Sequence, residues 1–160
     1  MSIKPEFYEE LKNLLPETYT LLASSDLEIH ERVTCIVLHG SRGLKNSPRT
    51  DSDLDLSLIT DIADVSNNDL GKVLDKVTRI TLESWQGSVR LDLAVVFDTG
   101  DCGLKCFYAS EWDDSICNRG IDCFGIYKIQ KGFGGIIENA SVHVEKMYPC
   151  MVVWRRDDDG

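Results

Sequence analysis

The sequence predicts a single α+β domain, on three observations. The segment from Pro5 to Ser25 reads as a helix or a pair of helices. Three β-rich segments follow: Val33–Leu38, Asp53–Ile59 and Val89–Phe97. One amphipathic helical stretch, Asn67–Trp85, separates the second from the third. A chain of 160 residues is long enough to bury one respectable core. It contains neither an internal repeat nor a linker, so residues 1–156 are expected to form one domain, with 157–160 (Asp-Asp-Asp-Gly) as a disordered tail.

Each element has a local reason. Pro5 suits a first helical turn, and Pro16 breaks or kinks the segment that follows. Val33-Thr-Cys-Ile-Val-Leu38 is an unbroken β-branched and apolar run, as expected of a strand buried on both faces. Turn formers fill Gly40 to Asp51. Asp53-Leu-Asp-Leu-Ser-Leu-Ile59 alternates, with Leu54, Leu56 and Leu58 on one face and Asp53, Asp55 and Ser57 on the other. In the long helix Ser66 or Asn68 can cap, and Leu70, Val73, Leu74, Val77 and Ile80 form an apolar stripe. After a turn at Gln86-Gly87-Ser88, Val89, Leu91, Leu93 and Val95 share one face, while Arg90, Asp92, Ala94 and Val96 share the other. The last third is expected to hold a strand within Ile121–Ile129 and a turn or loop at Lys131–Gly135. One or two strands follow around Pro149 in Val142–Trp154, with a helix as the alternative there.

The charge balance excludes some partners. With 27 acidic against 17 basic residues and a net charge of −10, the chain lacks the cationic surface that bulk nucleic-acid binding uses. It has no run of about 18 apolar residues to cross a bilayer. The start, Met1-Ser-Ile-Lys-Pro-Glu6, lacks the apolar core of a signal peptide, so a cytoplasmic protein without a membrane partner is expected. Cys35, Cys102, Cys106, Cys117, Cys123 and Cys150 then read as free thiols. Cys102 and Cys106 are spaced more loosely than structural zinc ligands usually are, and no histidine pairs with them in a zinc pattern.

The chemistry is concentrated in one constellation: Gly40-Ser41, then eleven residues, then Asp53-Leu54-Asp55, then Asp92 on a third strand. Strand residues two apart point the same way, so Asp53 and Asp55 project side by side, roughly 7 Å apart. If Asp92 sits at the same level on a neighbouring strand, three carboxylates converge, and a divalent cation resolves their repulsion. Hard oxygen ligands select Mg²⁺ or Mn²⁺. Gly40 permits close backbone approach, and a short helix opening at Ser41 would offer N–H groups and a hydroxyl to phosphate. Arg42, Lys45 and Arg49 lie in the same stretch, and the Arg42 fork suits phosphate best.

On His39-Gly-Ser-Arg-Gly43, Ser52-Asp-Leu-Asp-Leu56 and Arg90-Leu-Asp-Leu93, the chain resembles the DNA polymerase β-like nucleotidyltransferase superfamily, in particular its minimal nucleotidyltransferase branch. The resemblance covers residues 33–97. It implies an α+β nucleotidyltransferase fold, a mixed sheet with helices packed on one face. It further implies Mg²⁺-dependent transfer of an NMP from an NTP, with ATP favoured, to a protein or small-molecule hydroxyl, releasing pyrophosphate. Gly40, Ser41 and Arg42 would bind the nucleotide. Asp53, Asp55 and Asp92 would hold the metal and form the catalytic trio, with Asp92 also assisting deprotonation of the acceptor.

The remaining candidates have plainer readings. Asp51 is loop solvation, Asp98 is a weaker candidate for the third acid, and His39 is a strand-end side chain. His30 and His143 carry no signal, Trp112 and Tyr127 read as packing, and Met147–Trp154 reads as a core strand. Two other functions compete with the enzyme. One is a regulatory, antitoxin-type partner-binding protein with the same fold, and the other is a silent nucleotide-binding module. The short stretch after Phe97 leaves little room for an acceptor domain, so a homodimer or a helical partner protein is expected to complete the acceptor pocket.

Overall fold

The structure is a computed structural model that describes residues 2–98, 126–130 and 149–156. Strand β1 (Ser2–Ile3) pairs antiparallel with β2 (Ile29–His30) in a two-stranded ribbon. Between them lie α1 (Glu9–Leu14) and α2 (Pro16–Ala23), the pair that Pro16 predicts. Leu15, at φ −136° and ψ 70°, lies outside the helical basin and serves as both the end of α1 and the cap of α2. The residue before a proline disfavours helical geometry, while the proline itself suits a first helical position. Pro5 does not open a helix: α1 starts at Glu9, and the preceding Tyr8 donates its N–H to the Val153 carbonyl.

The described residues form one further, five-stranded sheet from β3 (Val33–His39), β4 (Leu54–Asp61), β5 (Leu91–Asp98), β6 (Ile126–Gln130) and β7 (Met151–Arg155), in the order β6-β5-β4-β3-β7. Only β4 and β5 run parallel, so the sheet is mixed and the molecule α+β. Parallel neighbours need a crossover, and α3 (Leu70–Ser84), entered through a short 3₁₀ turn at Asn67–Asp69, supplies it. Ser66 occupies the cap position of that turn without a capping hydrogen bond to the backbone; its hydroxyl goes to Asp69 instead, at 3.1 Å.

The two faces of the sheet follow the alternation in the sequence. Ile36, Leu38, Leu54, Leu56, Leu58, Leu91, Leu93 and Val95 join Leu11, Leu15 and Leu22 of the first helical pair and Leu74 and Val77 of α3 in one core. On the opposite face Cys35, Val37, Ile59, Ala94 and Val96 are buried too, as a continuously apolar β3 requires. The buried side of α3 differs from expectation at three positions. Thr78 and Thr81 are buried, whereas Ile80 is only half-buried. The inward stripe therefore runs 70-73-74-77-78-81, the three-and-four spacing of a helix face.

Long-range bonds close the domain. Arg156 donates to the carbonyls of Val33 and His30, at 3.1 Å each, which fastens the end of β7 to β2 and β3. Trp85 donates its indole N–H to the Val89 carbonyl (2.9 Å), closing the turn from α3 to β5. A β-carbon on Gly87 would lie 2.2 Å from that indole ring, so the turn accepts only glycine there. Among the described residues, no helix is long and apolar enough to cross a membrane. Cys35 and Cys150 are buried. Cys102, Cys106, Cys117, Cys123, Trp112, His143, the turn expected at 131–135 and the tail at 157–160 lie outside the described residues.

Candidate functional site

The site begins where β3 ends. His39 pairs with Asp55 across the antiparallel β3–β4 ladder, and Asp55 pairs with Asp92 across the parallel β4–β5 ladder. Paired residues on neighbouring strands point to the same face, so His39, Asp55 and Asp92 form a lateral row over three strands. Asp53 precedes β4 by one residue and shares the parity of Asp55. All four side chains are half-buried. Two carboxylates directly opposite one another on adjacent strands repel, by up to about 1 kcal/mol at an exposed site.

Asp98 pairs with Asp61 at the far end of the same ladder. Six residues along a strand separate it from Asp92, roughly 20 Å, so it is not the third acid of this row. Among the described residues, no three His, Cys, Asp or Glu side chains are grouped closely enough to hold a metal ion. The geometry therefore offers the Asp55–Asp92 pair with Asp53 beside it, and not a closed trio.

Gly40 lies against this row. It has φ +77°, a left-handed conformation, and a β-carbon there would lie 2.0 Å from Asp55 Oδ2. Both the backbone angle and the carboxylate demand glycine. The short helix expected to open at Ser41 does not form. Residues 41–45 make successive turns, closed by Gly43 N–H to the Gly40 carbonyl (3.0 Å) and Asn46 N–H to the Gly43 carbonyl (2.8 Å). Asn46 at φ +47° then bends the chain away. The left-handed residues at 40 and 46 interrupt the right-handed helical path at both ends. Ser41 remains half-buried at the start of the turn, and its carbonyl accepts from Ser47 N–H at 3.0 Å.

Arg42 has a different occupation from the phosphate ligand expected of it. Its side chain is buried, and its Nε donates to the Ser52 carbonyl (2.9 Å). Its Nη2 donates to the carbonyls of Arg49 (3.2 Å) and Thr50 (3.3 Å). The Arg42 carbonyl in turn accepts from the Thr18 hydroxyl of α2, at 2.7 Å. The loop from 42 to 52 is thus wrapped around one guanidinium and hung from a helix. The loop's exposed cations are Lys45 and Arg49, and Arg49 lies 3.6 Å from Asp51.

Two contributors were not singled out in the sequence. Ser57, fully buried, shares a hydrogen bond with His39 Nε2 at 2.9 Å, which gives His39 a defined place beside Asp55. The signal was the shared parity of Ser57, Asp55 and Asp53, but it becomes a contact only through the register with β3. Thr18 is the second, and nothing near it in sequence points to the loop. No family model matches the chain, and neither a curated protein nor a solved structure matches it.

Proposed function

We propose that the chain is a metal-dependent nucleotidyltransferase that moves a nucleoside monophosphate from an NTP, ATP by preference, onto a hydroxyl of a protein or small molecule. The observation that carries this reading is the in-register pair Asp55–Asp92 on the face against which the Gly40 turn rests. A like-charge pair costs stability, and a function that needs negative charge explains its presence.

The Asp55–Asp92 pair, with Asp53 beside it, offers only carboxylate oxygens, the donor chemistry that a hard divalent cation takes. Mg²⁺ or Mn²⁺, when bound there, would polarise phosphate oxygens and offset the charge of the departing pyrophosphate. The chain's own groups do the rest in this reading. The Gly40–Ser41 turn brings backbone N–H groups and the Ser41 hydroxyl to the phosphates, and Lys45 and Arg49 supply screening charge. Arg42 keeps the loop in shape. The acceptor oxygen attacks the α-phosphorus, the bond to pyrophosphate breaks, and Asp92 takes the hydroxyl proton.

The test is incubation of the purified protein with each radiolabelled NTP, Mg²⁺ and a cell lysate. Label should pass to a discrete acceptor with wild type and be lost with Asp55→Asn. Absence of transfer from all four NTPs, or equal labelling by Asp55→Asn, would overturn the reading.

A further inference from the structure

On the helix side of the same loop lies an open cleft of about 560 Å³, between α2, residues 48–50 and Ser88–Val89. That volume falls within the usual range for small-molecule sites. Pro16, Leu21, Pro48 and Val89 give it apolar walls. Arg42 lines it as well, with only 7% of its surface exposed. Nε and Nη2 of that guanidinium are spent on loop carbonyls. Its Nη1 makes no hydrogen bond to any described residue, and the group forms no ion pair with one.

Carbonyl dipoles offset only part of the cost of burying a full positive charge, and an anion placed against the remaining nitrogen would offset more. The first turn of α2 faces the same cleft through Pro16 and Glu17, and the positive end of a helix dipole also favours an anion. The exposed Glu17 carboxylate at the rim works against a polyanion, so a triphosphate is a poor fit where a single carboxylate is a good one. None of Asp53, Asp55 or Asp92 lines the cleft.

We propose that this cleft binds a small amphiphilic monoanion, its carboxylate on Arg42 Nη1 and its apolar body between α2 and Val89. The ligand would act on the loop that carries Gly40 and Ser41, because it completes the coordination of the residue around which that loop is wrapped. The site does not depend on the nucleotidyl-transfer reading and stands or falls by binding alone.

The experiment is an NMR titration of the ¹⁵N-labelled full chain with hexanoate, hexanamide and inorganic phosphate. Hexanoate should shift the Arg42 Nε–H, Thr20 and Ser88 resonances and bind at least about ten-fold tighter than either of the other two. Thr20→Trp places a ring in the cleft from an exposed helix position, so it should abolish hexanoate binding and leave the far-UV circular dichroism unchanged. Four results would each overturn the proposal: no hexanoate binding, hexanamide binding as tightly as hexanoate, phosphate alone binding as tightly, or Thr20→Trp binding hexanoate as wild type does.

Discussion

Gly40 lies so close to Asp55 that a β-carbon at position 40 would be 2.0 Å from Asp55 Oδ2 and 2.8 Å from its Cγ. The end of β3 and the start of β4 are therefore fitted to each other at the candidate site. Gly40→Ala must either push the carboxylate aside or distort the turn, and it also places a side chain at φ +77°. The left-handed conformation costs about 1–2 kcal/mol and steric overlap about 1–3 kcal/mol more. In urea unfolding, Gly40→Ala should lose about 3 kcal/mol. In an Asp55→Ala background the loss should shrink toward the conformational part alone, a coupling of about 1 kcal/mol or more. Additive losses would mean that the contact does not matter.

Arg42 is expected to act on the loop before it acts on any ligand. Arg42→Lys keeps the charge but cannot reproduce a fork that reaches the carbonyls of Ser52, Arg49 and Thr50. With hydrogen bonds to charged groups worth about 1.5–3 kcal/mol, a destabilisation of about 3 kcal/mol should follow. Thr18→Val removes the single bond to the Arg42 carbonyl and should cost about 1 kcal/mol. The two changes should be less than additive, because both release the same loop. Wild-type stability in Arg42→Lys would show that the loop is held by something else.

The Asp55–Asp92 pair gives opposite outcomes with and without divalent cation. In chelator, Asp92→Asn should leave the melting temperature unchanged or raise it, since opposed like charges cost up to about 1 kcal/mol. With Mg²⁺ at about a hundred times its dissociation constant, wild type should gain about 2.7 kcal/mol and the variant much less. If wild type and Asp92→Asn respond alike to Mg²⁺, the carboxylates do not bind it.

The extent to which this site can be read from sequence depends on distance along the chain. The alternation in Asp53–Ile59 and Val89–Phe97 is local, and parity alone separates the carboxylates from the leucines that enter the core. The register that sets Asp55 beside Asp92 and opposite His39 is long-range, and parity narrows it without choosing it. Arg42 shows the same limit: its place in a turn-rich loop does not reveal that its Nε and Nη2 are taken up by the carbonyls of Ser52, Arg49 and Thr50. The helix expected at Ser41 failed on backbone angles, with left-handed residues at 40 and 46. On α3, counting threonine as polar hid Thr78 and Thr81 from the buried face.

Thr81 offers a test of that buried face. Its hydroxyl is fully buried and has no hydrogen-bond partner among the described residues, unlike that of Thr78, which bonds back to the Leu74 carbonyl at 2.7 Å. An unsatisfied buried hydroxyl costs about 1–3 kcal/mol. Thr81→Val, of nearly the same shape, should raise stability by about 1 kcal/mol, whereas Thr81→Ser, which keeps the hydroxyl and deletes a methyl group, should lower it by about 1 kcal/mol. Losses of similar size in both would show that the hydroxyl is satisfied.

His30 should make stability fall as the solution is acidified. It is buried at the end of β2, and burial holds its pKa below the ordinary histidine value; the nearby charges of Arg32 and Lys76 act in the same direction and Glu31 acts against it. Its Nδ1 accepts the Arg32 N–H at 3.1 Å, a bond available only to the neutral ring. A group whose folded pKa is depressed binds protons in the unfolded chain first. The stabilising effect of neutral His30 is therefore complete above about pH 6.5, the unfolded value, and is lost as pH falls from there through the lower folded value. His30→Asn keeps an acceptor for the Arg32 N–H and cannot titrate. Urea unfolding at pH 7.5 and 5.5 should show wild type losing stability over that interval and His30→Asn losing distinctly less. Parallel losses would assign the acid sensitivity to other groups and leave the His30 ring protonated without penalty.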